Sequence, residues 1–419
     1  MINDIPNRCD IFCNVIDNYG DIGVCWRLAR QLAQEHGLTV RLWVDDLDSL
    51  VKLCPEADAA RDVQHCRGVE VRRWQGADRP FTLRYLRANG EEEAIQPAEL
   101  VVEAFACKLP QGYLEAMAAR EPKPVWINLE YLSAEEWVGT HHKLPSPQPS
   151  LPLTRYFFFP GFTPKTGGLL LERDLFAQRD AFRNDAVRQR AFWASFGMEV
   201  PGEETLKVSL FGYENDALVG LLDAWAGGEQ PVLCLVPEGR ILPQVGQYFG
   251  DPDSPRPLAG EGLGERAGYS RGKLQVRVLP FVEQERYDEL LWACDINFVR
   301  GEDSCVRAQW AARPFVWHIY PQHDGVHMQK LSAFMARYCA GLPPEAEAAL
   351  RGLWEAWNSG GALPIPVGQA WNDFREHQSM LRQRAQGWAL ELAENNLALN
   401  LLDFFRETGR MRAFKIEGQ

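Results

Sequence analysis

An apolar run near the start of the chain, Cys9–Ile16, leads through the short turn DNYGD into a segment with apolar residues at helical spacing. The run has the length and composition of a buried β-strand. The next segment places Ile22, Cys25 and Leu28 on one face, which predicts an amphipathic helix from about residue 22 to residue 36. A strand, a tight turn and a helix in this order predict the first βα unit of a parallel sheet.

The same alternation of apolar runs and helical segments continues along the chain in two series. The further predicted strands of the first series are Val40–Val44, Leu100–Phe105, Val125–Asn128 and Tyr156–Phe159. The second series begins at Leu206–Asn215 and continues with Val232–Val236, Leu274–Leu279, Ile296–Val299 and Phe315–Ile319. Continuous apolar strands between helices predict parallel sheets that helices cover on both faces.

A chain of 419 residues exceeds what one hydrophobic core usually supports, so we predict two domains. A proline-rich loop at Ser146–Pro152 and a charged helical stretch at Glu172–Arg190 separate the two series. We place Rossmann-like domains at residues 1–200 and 201–375, and a helical tail at 376–419 that packs back on the N-terminal domain. The predicted fold class is α/β, with two facing, doubly wound domains and the ligand at the carboxyl ends of their strands.

The charge and the cysteine content disfavour several classes of function. The net charge of −13 argues against nonspecific binding to nucleic acid or to anionic membranes. No stretch resembles a signal peptide or reaches the length of a transmembrane helix, so we expect a cytoplasmic protein. The ten cysteines include no CxxC pair and no zinc-ligand spacing, which indicates reduced, mostly buried thiols and no metal site.

Two carboxylates, Asp17 and Asp21, lie in the turn after the first strand. Asp21 has an ordinary structural interpretation as a helix N-cap that accepts from the N–H of Gly23 or Val24. That interpretation leaves Asp17 unexplained, because two carboxylates in one turn repel each other unless a cationic or donor-rich group lies between them. Gly20 permits an unusual backbone angle there. The acidic turn lacks the GxGxxG pattern of dinucleotide binding, and it favours a cationic acceptor over a phosphate.

A second strand–turn–helix unit contains FVRGEDS, which ends at Ser304. We expect Ser304 to cap the helix Cys305–Ala312 and to leave backbone N–H groups free to hold an anion. Arg300 adds a fixed positive charge suited to phosphate oxygens, and Gly301 permits close backbone approach. The alternative interpretation is an ordinary capped helix whose two acidic first-turn residues interact with its dipole.

Neighbouring strand ends add aromatic and amide side chains. Phe281 and Gln284 fall in the turn of LPFVEQERYDEL, where a ring can stack on a nucleobase and an amide can read its edge. Core packing is an equally good interpretation of Phe281. Tyr213, in SLFGYEN, is a second aromatic candidate at a neighbouring strand end.

The chain resembles the EarP family of protein-arginine rhamnosyltransferases, which modify elongation factor P, in the stretches DIFCNVIDNYGDIGVCWRLARQL, SLFGYEN, LPFVEQERYDELLWACDINFVRGEDSCVRAQWA and PFVWHIYPQ. The resemblance implies a metal-independent, inverting glycosyltransferase of GT-B fold, with an N-terminal acceptor domain and a C-terminal nucleotide-sugar domain. It also implies dTDP-β-L-rhamnose as the donor substrate, no further cofactor, and one arginine of elongation factor P as the acceptor.

The resemblance also assigns roles to individual residues. The family's essential acidic residues correspond to Asp17, Asp21 and Glu302. Its donor site, in which aromatic residues flank thymine and the RGEDS turn holds the diphosphate and ribose, corresponds to Tyr213, Phe281, Gln284, Arg300, Asp303 and Ser304. We add Gly301 to that site, and we assign the residues between the two aspartates to substrate binding, namely Asn18, Tyr19 and Gly20.

The implied nucleophile is a guanidinium, which is hard to deprotonate. With a pKa of ~13.8 against ~4 for a carboxylate, complete proton transfer before attack costs roughly 13 kcal/mol. We therefore expect Asp17 and Asp21 to hold the guanidinium and to take the proton as the C–N bond forms. Asp21 is the preferred base and Asp17 the orienting group, and the reverse assignment stays open. Arg300 and helix N–H groups stabilise the departing diphosphate, while Glu302 contacts a sugar hydroxyl, the ribose or a group of the partner protein.

Two other functions compete with this hypothesis. A Rossmann oxidoreductase is disfavoured by the missing GxGxxG and by the acidic first turn. A non-enzymatic nucleotide-sugar-binding protein on a GT-B frame is disfavoured because both carboxylate turns are retained. The histidines have no metal-ligand spacing, although His318 is a candidate for lining the donor site. The VDDLD run, Val44–Asp48, is interpreted as a solvated loop between a strand and a helix.

Overall fold

The computed structural model describes residues 6–16, 19–76, 83–86, 92–250, 268–322, 325–360 and 365–417. The chain divides into two compact units. The first consists of Met1–Arg173 and Leu392–Gln419, and the second of Asp174–Glu391. Each unit contains one mainly parallel sheet together with helices, which confirms the prediction of two doubly wound α/β units.

The sheet of the first unit has eight strands. The strands described in this unit are β1 (Arg8–Cys13), β2 (Thr39–Val44), β3 (Val63–Cys66), β4 (Val69–Arg73), β5 (Arg84–Leu86), β6 (Glu92–Ala94), β7 (Leu100–Ala104), β8 (Val125–Leu129), β9 (Pro145–Pro147) and β10 (Thr154–Phe158). The order in the sheet is β3–β4–β2–β1–β7–β8–β10–β9, while β5 and β6 pair separately. The edge strands β3 and β9 are antiparallel to their neighbours. The central strand β1 pairs in parallel with β2 and β7, so its carboxyl end lies at the middle of the sheet edge.

Four helices of the first unit follow its strands: α1 (Tyr19–Gln34), α2 (Leu47–Leu53), α3 (Gln111–Ala119) and α4 (Val138–His141). Behind β1 the core is aromatic. The ring of Phe12 lies 5.4 Å from Trp43, 5.3 Å from Trp74 and 4.7 Å from Tyr113, centroid to centroid. Rings packed this closely contribute beyond their buried area, and they fix the strand end from which the first turn departs.

The sheet of the second unit has six strands in the order β13–β14–β12–β11–β15–β16. They are β11 (Leu206–Leu210), β12 (Val232–Pro237), β13 (Gly268–Arg271), β14 (Leu274–Leu279), β15 (Ile296–Arg300) and β16 (Phe315–His318). All pairs are parallel except β13 with β14. The carboxyl ends of β11, β14 and β15 therefore lie at one edge of this sheet, as the sequence predicts.

The helices of the second unit are α5 (Leu175–Asn184), α6 (Ala186–Ser195), α7 (Leu218–Gly227), α8 (Leu242–Tyr248), α9 (Gln284–Ala293), α10 (Asp303–Trp310), α11 (Val326–Tyr338), α12 (Pro344–Asn358), α13 (Val367–Glu376) and α14 (Gln378–Ala393). Phe298 of β15 is fully buried, with its ring 5.9 Å from Trp225 and 5.0 Å from Trp357. These large rings pack against the side chain of Phe298 and hold β15 firmly in the sheet.

The sequence places the boundary between the domains at residue 200. In the structure the first unit already ends at Arg173, and the second begins at Asp174. The charged stretch after residue 172 forms two helices, because Asp185 accepts from the N–H of Val187 at 2.8 Å and starts a new helix. Phe182 of α5 packs 5.5 Å from Phe192 and 5.9 Å from Trp292. These contacts join α5 and α6 to the second unit. The acceptor and donor roles of the two predicted domains stay predictions.

The helical tail is likewise divided between the units. Trp388 of α14 donates to Gln309 at 2.7 Å, within the second unit. The last helix, α15 (Leu397–Glu417), belongs to the first unit. Its Asn400 donates to the carbonyl of Gly167 at 3.0 Å, and its Phe404 packs 5.1 Å from Tyr156. A parallel bridge between Leu169 and Asn396 completes the attachment.

Among the described residues, none of the helices combines the length and the apolar character that crossing a membrane requires. All ten cysteines are free thiols, and all but Cys107 are buried. They pack as small apolar residues, as the sequence indicates.

Candidate active site

The first candidate turn leaves β1 at a rigidly held strand end. The indole Nε1 of Trp74 donates to the carbonyl of Cys13 at 2.9 Å, and Sγ of Cys107 donates to the carbonyl of Phe12 at 3.4 Å. Both carbonyls belong to the last residues of the strand. Their hydrogen bonds fix the backbone just before the turn, so the side chains that follow start from a defined position.

Two carboxylates hold the turn itself. Oδ1 of Asp45 accepts from the N–H of Val15 at 2.9 Å, and Oδ2 of Asp21 accepts from the N–H of Ile16 at 2.9 Å. Burial raises the pKa of Asp45, and the bond from Val15 works against that rise. The interpretation of the VDDLD run as a solvated loop is therefore incomplete. Asp45 holds the turn after β1, and Asp46 caps α2 by accepting from the N–H of Ser49 at 3.1 Å.

The structural interpretation of Asp21 as an N-cap is wrong. The helix α1 begins at Tyr19, which places Asp21 within the first turn. Its carboxylate accepts from the N–H of Ile16, five residues earlier, and the residue is only 3 % exposed. An acidic side chain in a first helical turn also interacts favourably with the helix dipole.

The other predicted residues of the first turn are only partly described. Tyr19 and Gly20 are half-buried at the start of α1. Asp17 and Asn18 lie outside the described residues, so their predicted roles, and the pairing of Asp17 with Asp21, stay predictions. Among the described residues, the structure places the buried carboxylate of Asp21 at the start of the helix that follows β1.

The thiols of Cys13 and Cys25 form a hydrogen-bonded pair next to Asp21. The hydrogen bond from Cys25, together with burial, raises the pKa of Cys13 well above its ordinary value. Burial, opposed by that same hydrogen bond, raises the pKa of Cys25. Both thiols are neutral at physiological pH, so they add no charge that would compete with the carboxylate of Asp21.

The loop after β7 is a feature of this edge that sequence reasoning missed. Phe105, Ala106 and Lys108 adopt left-handed backbone angles, with φ of 54°, 53° and 57°. Such angles are rare for residues with side chains, and they concentrate at functional sites. Glu103, at the end of β7, is buried and accepts from the N–H of Lys108 at 3.1 Å. The stretch contains no glycine or asparagine that would signal this conformation from the sequence.

The second candidate turn, RGEDS, follows β15. Oγ of Ser304 accepts from the N–H of Arg300 at 3.1 Å and also donates to the carbonyl of Arg300. Gly301 has φ of +60°, a left-handed angle that favours glycine, and its carbonyl accepts from Nε1 of Trp317 at 2.7 Å. The serine thus closes the turn on itself, and the tryptophan anchors its middle.

The prediction that Ser304 caps the helix is therefore wrong. The helix α10 begins at Asp303, and the capping position falls to Glu302, whose side chain makes no capping hydrogen bond. The reason is that the helix starts two residues before the predicted Cys305, so the hydroxyl lies within the first turn. Glu302 does not cap the helix through its side chain, and the expectation that the helix N–H groups bind an anion stays a prediction.

Arg300 lies at the end of β15 between two aromatic rings. Its guanidinium carbon is 4.6 Å from the ring centroid of Phe211 and 4.8 Å from that of Tyr213. The residue is 6 % exposed, and Nη1 is buried without a hydrogen-bond partner among the described residues. Stacking holds the cation in place while one donor stays unsatisfied, and such a donor favours an anionic ligand. Phe211 was missed because it reads as the last apolar residue of a strand.

Tyr213 is 2 % exposed, because its ring packs among its neighbours. Its stacking on a nucleobase stays a prediction. Its backbone N–H donates to Nδ1 of His318 at 3.3 Å, and the two rings meet edge to face at 5.2 Å. Burial, and then the charge of Arg300, lower the pKa of His318 to about 3. The histidine is therefore neutral at physiological pH, and it holds Tyr213 beside Arg300.

The remaining predicted donor-site residues surround the same turn. Nε2 of Gln284, the first residue of α9, lies 3.5 Å from Oδ2 of Asp303. Phe281 is half-buried, as are Glu302 and Asp303. The structure thus brings the glutamine of one helix start to the acidic first turn of the next, and their roles toward a ligand stay predictions.

A buried ion pair holds the two helices together. Nε and Nη2 of Arg307, on α10, donate to the two carboxylate oxygens of Asp288, on α9, at 2.8 and 2.7 Å. Arg307 is 1 % exposed and Asp288 is 4 % exposed. A bidentate pair of this kind fixes orientation as well as distance. It therefore aligns the N-termini of α9 and α10 at the edge of the sheet.

The two turns have opposite chemistry. The turn after β1 presents a carboxylate, which attracts a cation, and the turn after β15 presents a guanidinium and helix N–H groups, which attract an anion. Within the described residues, no group of three or more His, Cys, Asp or Glu side chains is arranged to hold a metal ion.

Similarities to known proteins cover nearly the whole chain. The profile of the Elongation-Factor P (EF-P) rhamnosyltransferase EarP family matches residues 9–406. A protein-arginine rhamnosyltransferase of Pseudomonas putida is 50% identical over 401 residues, which span 95% of this chain and 98% of that protein. One from Neisseria meningitidis is 36% identical over 389 residues, spanning 93% and 94%.

A solved structure concerned with EarP-mediated arginine glycosylation of translation elongation factor EF-P has 39% sequence identity and a TM-score of 0.64. The similarity covers 96% of this chain and 99% of that one. The predictions of the family, of a two-unit α/β fold of GT-B type and of an enzyme are confirmed, and neither the oxidoreductase nor the non-enzymatic alternative is supported. The chain belongs to the elongation factor P rhamnosyltransferase EarP family, the protein-arginine rhamnosyltransferases.

Proposed function

We propose that this protein transfers L-rhamnose from dTDP-β-L-rhamnose to one arginine side chain of elongation factor P, with inversion at the anomeric carbon, in the cytoplasm. Family membership supports the transfer of rhamnose to arginine. The solved relative concerns arginine glycosylation of elongation factor P, which supports the same acceptor here. The observation that carries the proposal is the unsatisfied, stacked guanidinium of Arg300 beside an uncapped helix start.

The donor half of the proposal rests on the turn after β15. A diphosphate is a dense anion, and it would give the unsatisfied Nη1 of Arg300 its missing hydrogen bond. The N–H groups at the start of α10 would bind further phosphate oxygens and stabilise charge on the leaving group. Ser304 is proposed to contribute to donor binding mainly by closing the turn that carries Arg300.

The acceptor half rests on the turn after β1. Asp21 accepts from the N–H of Ile16 through one carboxylate oxygen, and its negative charge would attract a guanidinium. In the proposed reaction the arginine nitrogen attacks the anomeric carbon as the bond to the diphosphate breaks. Asp21, with Asp17, takes the proton as the C–N bond forms, because prior deprotonation costs roughly 13 kcal/mol. Glu302 is proposed to contact a sugar hydroxyl, the ribose or the acceptor protein.

The test is a reaction of the purified protein, dTDP-β-L-rhamnose and elongation factor P, followed by intact-mass and peptide mass spectrometry. The expected product is the acceptor with one added deoxyhexose on a single arginine. An acceptor with lysine in place of that arginine is the matched control and should remain unmodified. The anomeric configuration of the product, read by NMR, should be opposite to that of the donor. Absence of transfer, or transfer to the lysine control, contradicts the proposal.

A further inference from the structure

A cluster of four arginines lies in the second unit, away from the candidate donor site. We use the name arginine cluster for Arg179, Arg183, Arg313 and Arg382. On α5, Nη1 of Arg179 donates to the carbonyl of Trp310 at 2.8 Å, and Arg183 donates to the carbonyl of Ala311. These carbonyls end α10, so the first two arginines are accounted for as partners of a helix C-terminus.

The other two arginines of the cluster have no such explanation. In the register of β15 and β16, Asn297 is opposite Phe315, so Asp295 and Arg313 adjoin each other just before these strands. Arg313 donates no hydrogen bond to any described residue, and its Nε is buried. Arg382, on α14, lies 3.8 Å from Asp295, a distance beyond that of a direct hydrogen bond.

Negative charge at the cluster is scarce. Asp295 already accepts from the backbone N–H of Lys207 at 3.0 Å and lies 3.2 Å from its Nζ. Asp180 pairs with Arg179 at 2.9 Å, but its side chain is 56% exposed, which weakens its field. Burial, followed by the charge of Arg313, lowers the pKa of Arg183 to about 9. The guanidinium groups therefore repel one another in a protein whose net charge is −13.

We propose that the arginine cluster is a binding site for the phosphate group of a small ligand. The planar guanidinium forks match phosphate oxygens, and the free donors of Arg313 and Arg382 would bind a dianion that neutralises the cluster. A phosphate group there would also join α5, which begins next to residue 174, to α14, which contains residue 391, and these residues are the two limits of the second unit.

The site is separate from that of Arg300. Asp295 precedes β15 and Arg300 ends it, so five residues at ~3.3 Å each separate the two by about 16 Å. Phosphate binding at the cluster should therefore not compete with dTDP at the donor site. Nucleic acid is a poor candidate for the ligand, because the rest of the chain is strongly acidic.

The test measures binding of inorganic phosphate by calorimetry and by thermal unfolding, at constant ionic strength and with saturating dTDP. The variants are Arg313→Gln and Arg382→Gln, the second at a side chain that is 41% exposed. The matched control is Arg351→Gln, which removes one positive charge from α12 at an ion pair with Glu347. We expect unchanged affinity in the control and an affinity loss of about tenfold or more in the two cluster variants.

A second readout separates binding from a purely structural role. At low ionic strength and without phosphate, Arg313→Gln should unfold at a higher temperature than the parent, because one repelling charge is removed. The proposal is overturned if Arg313→Gln lowers that temperature, if chloride stabilises the parent as much as phosphate does, or if saturating dTDP abolishes phosphate binding.

Discussion

Oδ2 of Asp21 accepts a hydrogen bond from the backbone N–H of Ile16 at 2.9 Å, across the turn that joins β1 to α1. The proposed base is thus also part of the turn that positions it. One carboxylate oxygen closes the backbone of the turn, and the negative charge of the group would attract a cationic substrate. A substitution at this position therefore has a structural effect and a chemical effect, and two different replacements separate them.

The structural effect is tested with Asp21→Asn and Asp21→Ala. The amide oxygen of asparagine can still accept from Ile16, so we expect its free energy of unfolding to stay within about 0.5 kcal/mol of the parent. Alanine leaves that N–H without its partner, and we expect a loss of about 1–2 kcal/mol. Urea unfolding of the three proteins gives the comparison. Equal destabilisation by both replacements contradicts the role of this hydrogen bond.

Ser304→Ala should weaken both the fold and donor binding. The hydroxyl satisfies the N–H and the carbonyl of Arg300, and its removal leaves buried polar groups unpaired, at about 1–3 kcal/mol. Since the turn carries Arg300, the KM for the donor should rise. Ser304→Thr keeps the hydroxyl and serves as the control. A normal donor KM in the alanine variant shows that the closed turn is not required for binding.

Breaking the ion pair between Asp288 and Arg307 should be strongly destabilising. Asp288→Asn leaves a buried guanidinium without its counter-charge, and we expect a loss of about 3–5 kcal/mol in urea unfolding. Replacing both partners, as Asp288→Leu with Arg307→Met, should recover most of this loss, because neither charge is then buried alone. A double variant no more stable than the single one contradicts this interpretation.

His318 should make the fold sensitive to acid. Its pKa is about 3 in the folded protein, chiefly because it is buried, against ~6.5 in the unfolded chain. Between these values the unfolded chain binds a proton that the folded protein does not. The free energy of unfolding therefore falls as the pH falls from ~6.5 toward ~3, by up to ~1.4 kcal/mol per pH unit for this group.

The variant His318→Asn tests that dependence. The asparagine oxygen can replace Nδ1 as the acceptor for the N–H of Tyr213, but it does not titrate. Urea unfolding at several pH values should give a shallower slope below pH ~6 than the parent gives. The slope should not vanish, because burial also lowers the pKa of His142, to about 4. Identical slopes in parent and variant contradict the assignment.

The sequence predicts the fold where strands are buried on both faces. The central strands β1, β7, β11 and β15 are mainly apolar and almost completely buried, and their positions follow from that pattern. The strands that were not predicted lie at or near an edge, where polar residues and proline interrupt the run. In β9, Pro145–Pro147, two of the three residues are prolines, which is tolerated only on an edge strand.

The sequence predicted where the site residues lie along the chain better than it predicted what their side chains bind. Asp21 and Ser304 lie in the turns that the sequence singles out, but both were expected to be helix caps. Each helix begins earlier than its apolar spacing indicates. Asp21 accepts from Ile16 in the preceding turn, and Ser304 accepts from Arg300 at the end of its strand. Asp45 was assigned to a solvated loop and Phe211 was missed, because their partners, Val15 and Arg300, lie far along the chain.

The central claim is that Asp21 supplies the acceptor chemistry while Arg300 holds the donor. The most direct measurement pairs calorimetric titration of dTDP with rhamnose transfer for the parent, Asp21→Asn and Arg300→Ala. We predict that Asp21→Asn binds dTDP as the parent does and transfers no rhamnose. Arg300→Ala should bind dTDP about ten- to a hundredfold more weakly, because a charge-assisted hydrogen bond and a stacked cation are lost. Normal turnover by Asp21→Asn, or unchanged dTDP affinity in Arg300→Ala, would contradict the account.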